Sequence, residues 1–169
     1  MQSSVSNKFL ATGIPGEFSR SGNQETRGAI LASAAEANNV VGRAVKTVTG
    51  KDFNVGVAAN GNFAGLLSSP KTGIRANLDA QAFLPNATQV EVAERGYMFV
   101  TLPAAAAVGD FVYYSNTTGV LATAAPAATA PVGHSRLPGG LVQGQNVTGA
   151  GVGEIYFDIA GSAVATPAP

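Results

Sequence analysis

His134, in an expected Gly133-His134-Ser135-Arg136 loop, is the sequence's one histidine and its one side chain suited to moving a proton near neutral pH. A hydrolase would pair it with a serine and a carboxylate. Such a serine is commonly presented in Gly-x-Ser-x-Gly, and no such run occurs. Thr49-Gly50-Lys51-Asp52 looks like the end of a phosphate-binding loop. It lacks a glycine five residues before Gly50, and Asp52 stands where a hydroxyl should hold magnesium. Gly149-Ala150-Gly151-Val152-Gly153 lacks the dinucleotide spacing and a following helix. The ten carboxylates are scattered; Glu91 and Glu94 are close in sequence but read as strand and turn, pointing different ways. There is no cysteine, hence no disulfide, thiolate ligand or thiol nucleophile. The expectation is a protein that is not an enzyme and has no catalytic residue, no cofactor and no metal. A small hydrolase built on His134 is the weakest of the alternatives.

Composition limits the partners. Lys+Arg and Asp+Glu number 10 each, so the basic excess of a nucleic-acid binder is missing. No apolar run approaches the ~20 residues needed to span a bilayer, so no membrane partner is expected. Charged residues make up 12% of the chain, about half of the roughly 25% usual in soluble domains. A surface so poor in charge gains little solubility from repulsion, which fits a protein covered by partners. Met1 to Phe9 carries no apolar leader segment, so the product is expected to stay in the cytoplasm where it is made.

The elements that would carry any site are short strands. Val40 to Thr49, Asn54 to Ala59 and Phe63 to Leu67 read as a meander, with Gly50-Lys51-Asp52 and Asn60-Gly61 as turns. Thr88 to Ala93 alternates, Glu94-Arg95-Gly96 reads as a turn, and Tyr97 to Leu102 as the next strand. Phe111 to Tyr114, Val120 to Thr123 and Gly153 to Ile159 complete the set. Ala29 to Asn38 is the best helix candidate by propensity. Residues 70–85 read as a long irregular loop, 124–131 as an exposed alanine-proline loop, and 139–153 as a glycine-broken lead into the last strand. Asn86, Asn116 and Asn146 match the glycosylation acceptor pattern but read as turn residues. Short strands at roughly ten-residue spacing argue for an all-β sandwich or barrel. The expected division is an extended N-terminal arm over 1–28, a β-sandwich domain over 29–160 and a flexible C-terminal tail over 161–169.

Several segments, in order, are similar to one family. They are Thr12-Gly13-Ile14-Pro15-Gly16-Glu17-Phe18-Ser19-Arg20, Val40 to Asp52 with Gly65-Leu66-Leu67, and Glu94-Arg95-Gly96-Tyr97-Met98-Phe99-Val100. Gly109-Asp110-Phe111-Val112-Tyr113, Thr118-Gly119 and Gly153 to Ile159 follow. The set resembles the structural cement, or capsid decoration, proteins of tailed bacteriophages. The 70–85 and 124–140 segments and the proline-ended tail have no counterpart in that pattern. The resemblance implies a jelly-roll-like antiparallel β-sandwich with an extended arm and at most one short helix. It implies a virion protein on the outer capsid surface, made in the host cytoplasm, that clamps adjacent major capsid protein subunits. It favours a homodimer over a homotrimer. Pro15, Glu17, Phe18, Arg20 and Arg27 are the expected capsid-contacting residues, the two arginines as donors to a partner carboxylate. The alternative is a head-fibre or tail receptor-binding β-module, for which Tyr97, Tyr113 and Tyr114 are the aromatic candidates.

Overall fold

The computed structural model describes residues 13–68 and 83–160. The expected arm up to residue 12, most of the expected 70–85 loop and the expected tail from residue 161 lie outside the described residues. Nine strands run in chain order: β1 Glu25–Leu31, β2 Ala44–Val48, β3 Lys51–Gly56, β4 Phe63–Leu67, β5 Gln89–Leu102, β6 Phe111–Ser115, β7 Leu121–Ala124, β8 His134–Gln143 and β9 Gly151–Asp158. The all-β expectation holds, and the described helical structure between these strands is one 3-10 turn, Glu36–Asn38.

The strands follow the order β1-β3-β2-β4-β5-β9-β8-β6-β7, and a second pairing of β1 with β5 closes the first five into a small barrel. The remaining strands extend from β5 as a wing. All ladders are antiparallel except β1–β3, which is parallel. Two cores result. Ala29, Leu31, Val45, Val55, Leu67, Val90 and Val92 fill the barrel. Leu66, Ala93, Met98, Val100, Leu102, Leu121, Leu137, Ile155 and Phe157 form the wing core.

β5 belongs to both bodies, and a bulge makes that workable. Its first half pairs with β1 and β4, and its second half, Arg95 to Leu102, pairs with β9. Glu25 opposes Arg95 while Thr26 opposes Ala93, which leaves Glu94 as an extra residue. An extra residue reverses which face each later side chain takes. Val90 and Val92 therefore point into the barrel, and Met98, Val100 and Leu102 join Ala93 on the wing face. The turn expected at Glu94-Arg95-Gly96 is thus a correction: the chain bulges there and continues as one 14-residue strand.

Other expectations give way: Lys51 and Asp52, expected in a turn, already belong to β3, which ends at Gly56 and not at Ala59. The helix expected over Ala29 to Asn38 is instead the end of β1 followed by the 3-10 turn. Leu31 pairs with Val55 and Ala29 with Val90, and both inward residues are buried. Burial in the barrel outweighs an alanine's helix preference, which is worth well under ~1 kcal/mol per residue. The stretch containing His134 and Gly139-Gly140 was expected to be irregular, yet it forms β8. A two-residue step on β6, Phe111 to Tyr113, faces a five-residue step on β8, Leu141 to Arg136. The Pro138-Gly139-Gly140 interruption is that bulge.

The three asparagines of the glycosylation pattern brace turns. The side-chain oxygen of Asn86 accepts from the Ser33 amide at 2.9 Å, and that of Asn146 from the Val108 amide at 2.8 Å. That of Asn116 accepts from the Ser135 hydroxyl at 2.9 Å.

Candidate partner-binding surface

The segment before β1 is laid against the wing. Ser19 N–H donates to Tyr97 O at 2.9 Å, Gly16 N–H to Phe99 O at 2.8 Å, and Phe99 N–H to Glu17 O at 2.9 Å. Phe18 forms an antiparallel bridge with Met98. Residues 16–19 thus act as an added strand on the side of β5 that β9 does not cover. The sequence permits this because Gly96 holds φ at +141°, and a Cβ there would sit 2.8 Å from the Phe18 ring. Without a side chain at 96, Phe18 packs down onto the wing core.

A buried carboxylate pins the segment. Glu154 on β9 accepts two hydrogen bonds from Arg20, Nε at 2.9 Å and Nη2 at 2.7 Å, and a third from the Ser19 hydroxyl. The Glu154 side chain is 10% exposed and that of Arg20 is 47% exposed. The Arg20 guanidinium lies 4.1 Å from the centroid of Tyr97, whose ring is 4.9 Å from that of Tyr156. Hydrogen bonding by Arg20 holds the Glu154 carboxyl below the usual range for glutamate, against the opposing effect of its burial. Bidentate guanidinium–carboxylate contacts of this kind are directional and stronger than a single neutral hydrogen bond.

The residues expected to contact a partner are therefore only partly gathered. Pro15, Glu17, Phe18 and Arg20 lie along the docked segment. Glu17 is exposed, Pro15 is half-buried, and Ile14 beside them is 60% exposed. Arg27 lies apart, on β1. Its Nε is 2.6 Å from Glu94 Oε1, an ion pair without hydrogen-bond alignment, and its Nη1 donates to Asp52 O at 3.2 Å. Both arginines expected to reach a partner carboxylate already have one inside the chain. The surface left for a partner on this segment is the Ile14, Pro15 and Glu17 side.

Other candidates fall elsewhere. Tyr113 and Tyr114 are each 6% exposed, and Tyr97 lies under Arg20, so the three do not form an open aromatic platform. His134 opens β8, with Nδ1 2.9 Å from Val132 O. No group of three or more potential metal ligands occurs among the described residues. Two residues that the sequence reading passed over matter most. Glu154 was read as one position of the closing strand; its signal was a lone acid inside Gly-Glu-Ile-Tyr-Phe. Arg43 was read as a strand position, whereas it sits in the turn before β2.

Comparison with known proteins bears on the family and the fold. The family model described as structural cement protein, the family of E217 gp24 and Pam3 gp6, matches residues 1–158. A solved structure titled "The capsid of Myoviridae Phage XM1" contains a chain of the same fold, with a TM-score of 0.61 and 19% identity. The match covers 89% of this chain and 93% of that one. No curated protein matches. A match across nearly the whole length, on a fold shared with a chain from a phage capsid structure, means that this chain belongs to the structural cement protein family of phages.

Proposed function

We propose that this protein decorates the outer surface of a phage capsid, bridges adjacent major capsid protein subunits there, and has no catalytic role. The observation that carries the reading is the docked N-terminal segment. It is fixed to the wing by backbone pairing and by Glu154, with Ile14 and Glu17 turned to solvent. A segment ordered before binding loses little further conformational freedom at the interface, which favours tight attachment. Many copies that bind only the assembled shell stabilise it by linkage. The copies act as homodimers in this proposal, with the homotrimer as the other arrangement, and the partner is protein, neither nucleic acid nor membrane.

The test is co-sedimentation with undecorated capsids. The double variant Ile14→Asp/Glu17→Lys changes two exposed side chains. It is expected to keep the wild-type melting temperature and lose decoration and the associated rise in capsid heat stability. Wild-type decoration by this variant would sink the assignment of the segment. A truncation should stop at residue 24, because β1 begins at Glu25.

A further inference from the structure

Four arginines among the described residues carry a charge that another group in the chain answers. Arg20 faces Glu154, Arg27 faces Glu94, and Arg95 faces Glu25 at 3.1 Å. Arg136 stacks over Phe111, 3.7 Å from the ring centroid. Arg43 differs. It is half-buried, and its Nη1 donates only to neutral oxygens: Asn38 Oδ1 at 3.0 Å, Thr118 O at 3.4 Å and Asn38 O at 3.5 Å. No carboxylate pairs with it among the described residues. Burial pushes its pKa down from the ordinary arginine value, though arginine stays charged at any physiological pH. A guanidinium partly withdrawn from water without a counter-charge is unfavourable, and a carboxylate brought against it offsets part of that cost.

There is room for one. Arg43 lines a surface pocket of about 160 Å³ together with Val40, Val41, Thr101, Val120 and Leu121. The walls are mostly aliphatic. The pocket also adjoins the docked segment, because Gly42, another of its lining residues, abuts Pro15 and Gly16. A Cβ on Gly42 would lie 3.6 Å from Gly16 N and 3.9 Å from Pro15 Cβ. Pocket and segment therefore form one continuous surface.

We infer that this pocket receives an aspartate or glutamate side chain of a neighbouring capsid subunit, its carboxylate on Arg43 and its adjoining apolar atoms against Val40, Val41, Val120 and Leu121. The inference rests on the decoration reading and gives that interface its charged anchor. Two features make the site selective. An acidic residue alone lacks the aliphatic fit, and an apolar residue alone leaves the Arg43 charge unanswered.

Binding of the full-length protein to undecorated capsids, measured over a range of salt concentrations, tests it. Arg43→Gln keeps an amide that can bond Asn38 and removes the charge. Thr101→Phe narrows the pocket from an exposed strand position and leaves the Arg43 charge in place. The expected result is an affinity loss of tenfold or more for each, with a flatter salt dependence for Arg43→Gln. Should Arg43→Gln melt lower than wild type, Thr101→Phe decides alone. Wild-type affinity in the deciding variant would overturn the inference and leave the decoration reading standing. Failure of the wild-type protein itself to bind would remove both. Asp79 is the one acidic residue of the sequence outside the described residues. If Asp79→Asn reproduced the Arg43→Gln loss, the pocket would belong to the chain's own carboxylate and the inference would fail.

Discussion

The barrel and the wing share β5 but solve the edge problem differently. In the barrel, β1 returns to β5 and every strand has two neighbours. The ion pairs Arg27–Glu94 and Arg95–Glu25 lie along that closing seam. In the wing, β7 ends the sheet, and the free side of β5 is covered by the docked segment, held by three backbone hydrogen bonds and Glu154. A closed sheet offers no backbone groups to another chain, whereas an open one must manage its edges. The docked segment and β7 belong to the open body, and the Arg43 pocket lies at the junction, where the lead into β2 meets the start of β7.

The sharpest way to break this comparison is to empty each core. Phe157, in the wing, and Leu67, in the barrel, are both fully buried. Phe157→Ala is expected to cost ~3–5 kcal/mol and Leu67→Ala ~2–5 kcal/mol in urea unfolding. Because β5 runs through both bodies, each variant should unfold in a single transition. Two separated transitions would mean that barrel and wing are independent units.

A smaller effect separates the docked segment from both cores. Glu154→Gln should raise amide exchange at Gly16 and Ser19 by about tenfold, through loss of charge-assisted bonds that hold the segment. Exchange at barrel amides such as Val92 should not change. Equal acceleration in both places would show that Glu154 supports the whole fold.

Acid gives a milder perturbation of the same contact. The Glu154 carboxyl titrates below its usual range in the folded protein, so its contribution is complete above the unfolded value of about 4.3. It is lost as pH falls through the lower, folded value. Protection of the Ser19 amide should hold from neutrality to about pH 5 and decline only below about pH 4. In Glu154→Gln the same profile should be flat.

The smallest effect belongs to the barrel seam. Arg95 and Glu25 are 33% and 54% exposed. Glu25→Gln should change stability by less than about 1 kcal/mol, and less still in high salt. A larger loss would show that charge, rather than burial of Ala29 and Leu31, closes the barrel.

Strand content was legible wherever both signals are local. Phe63–Leu67 was read to the residue, and Phe111 to Tyr114 and Val120 to Thr123 to within one residue at either end. β8 was missed because its bulge places Pro138, Gly139 and Gly140 inside a strand, and only the register against β6 shows that pairing resumes beyond them. Gly96 was noticed but read as a turn. The same glycine serves a bulged strand once β1 and β9 pair on either side of it.

By itself the sequence determined an all-β fold of short strands, an unusually small share of charge, a polar segment leading into the first strand, and a family resemblance across most of the chain. Those properties live in runs of a few residues, where the two-residue strand period and glycine turns express themselves directly. Tertiary structure decided which arginines are already spent. Arg20 meets Glu154 across 134 positions of sequence, and Arg27 meets Glu94 because β1 returns to β5. Arg43 is left with neutral partners by the same folding. A charge's partner is fixed by distance in space, and chain order does not encode that distance until the sheet has closed.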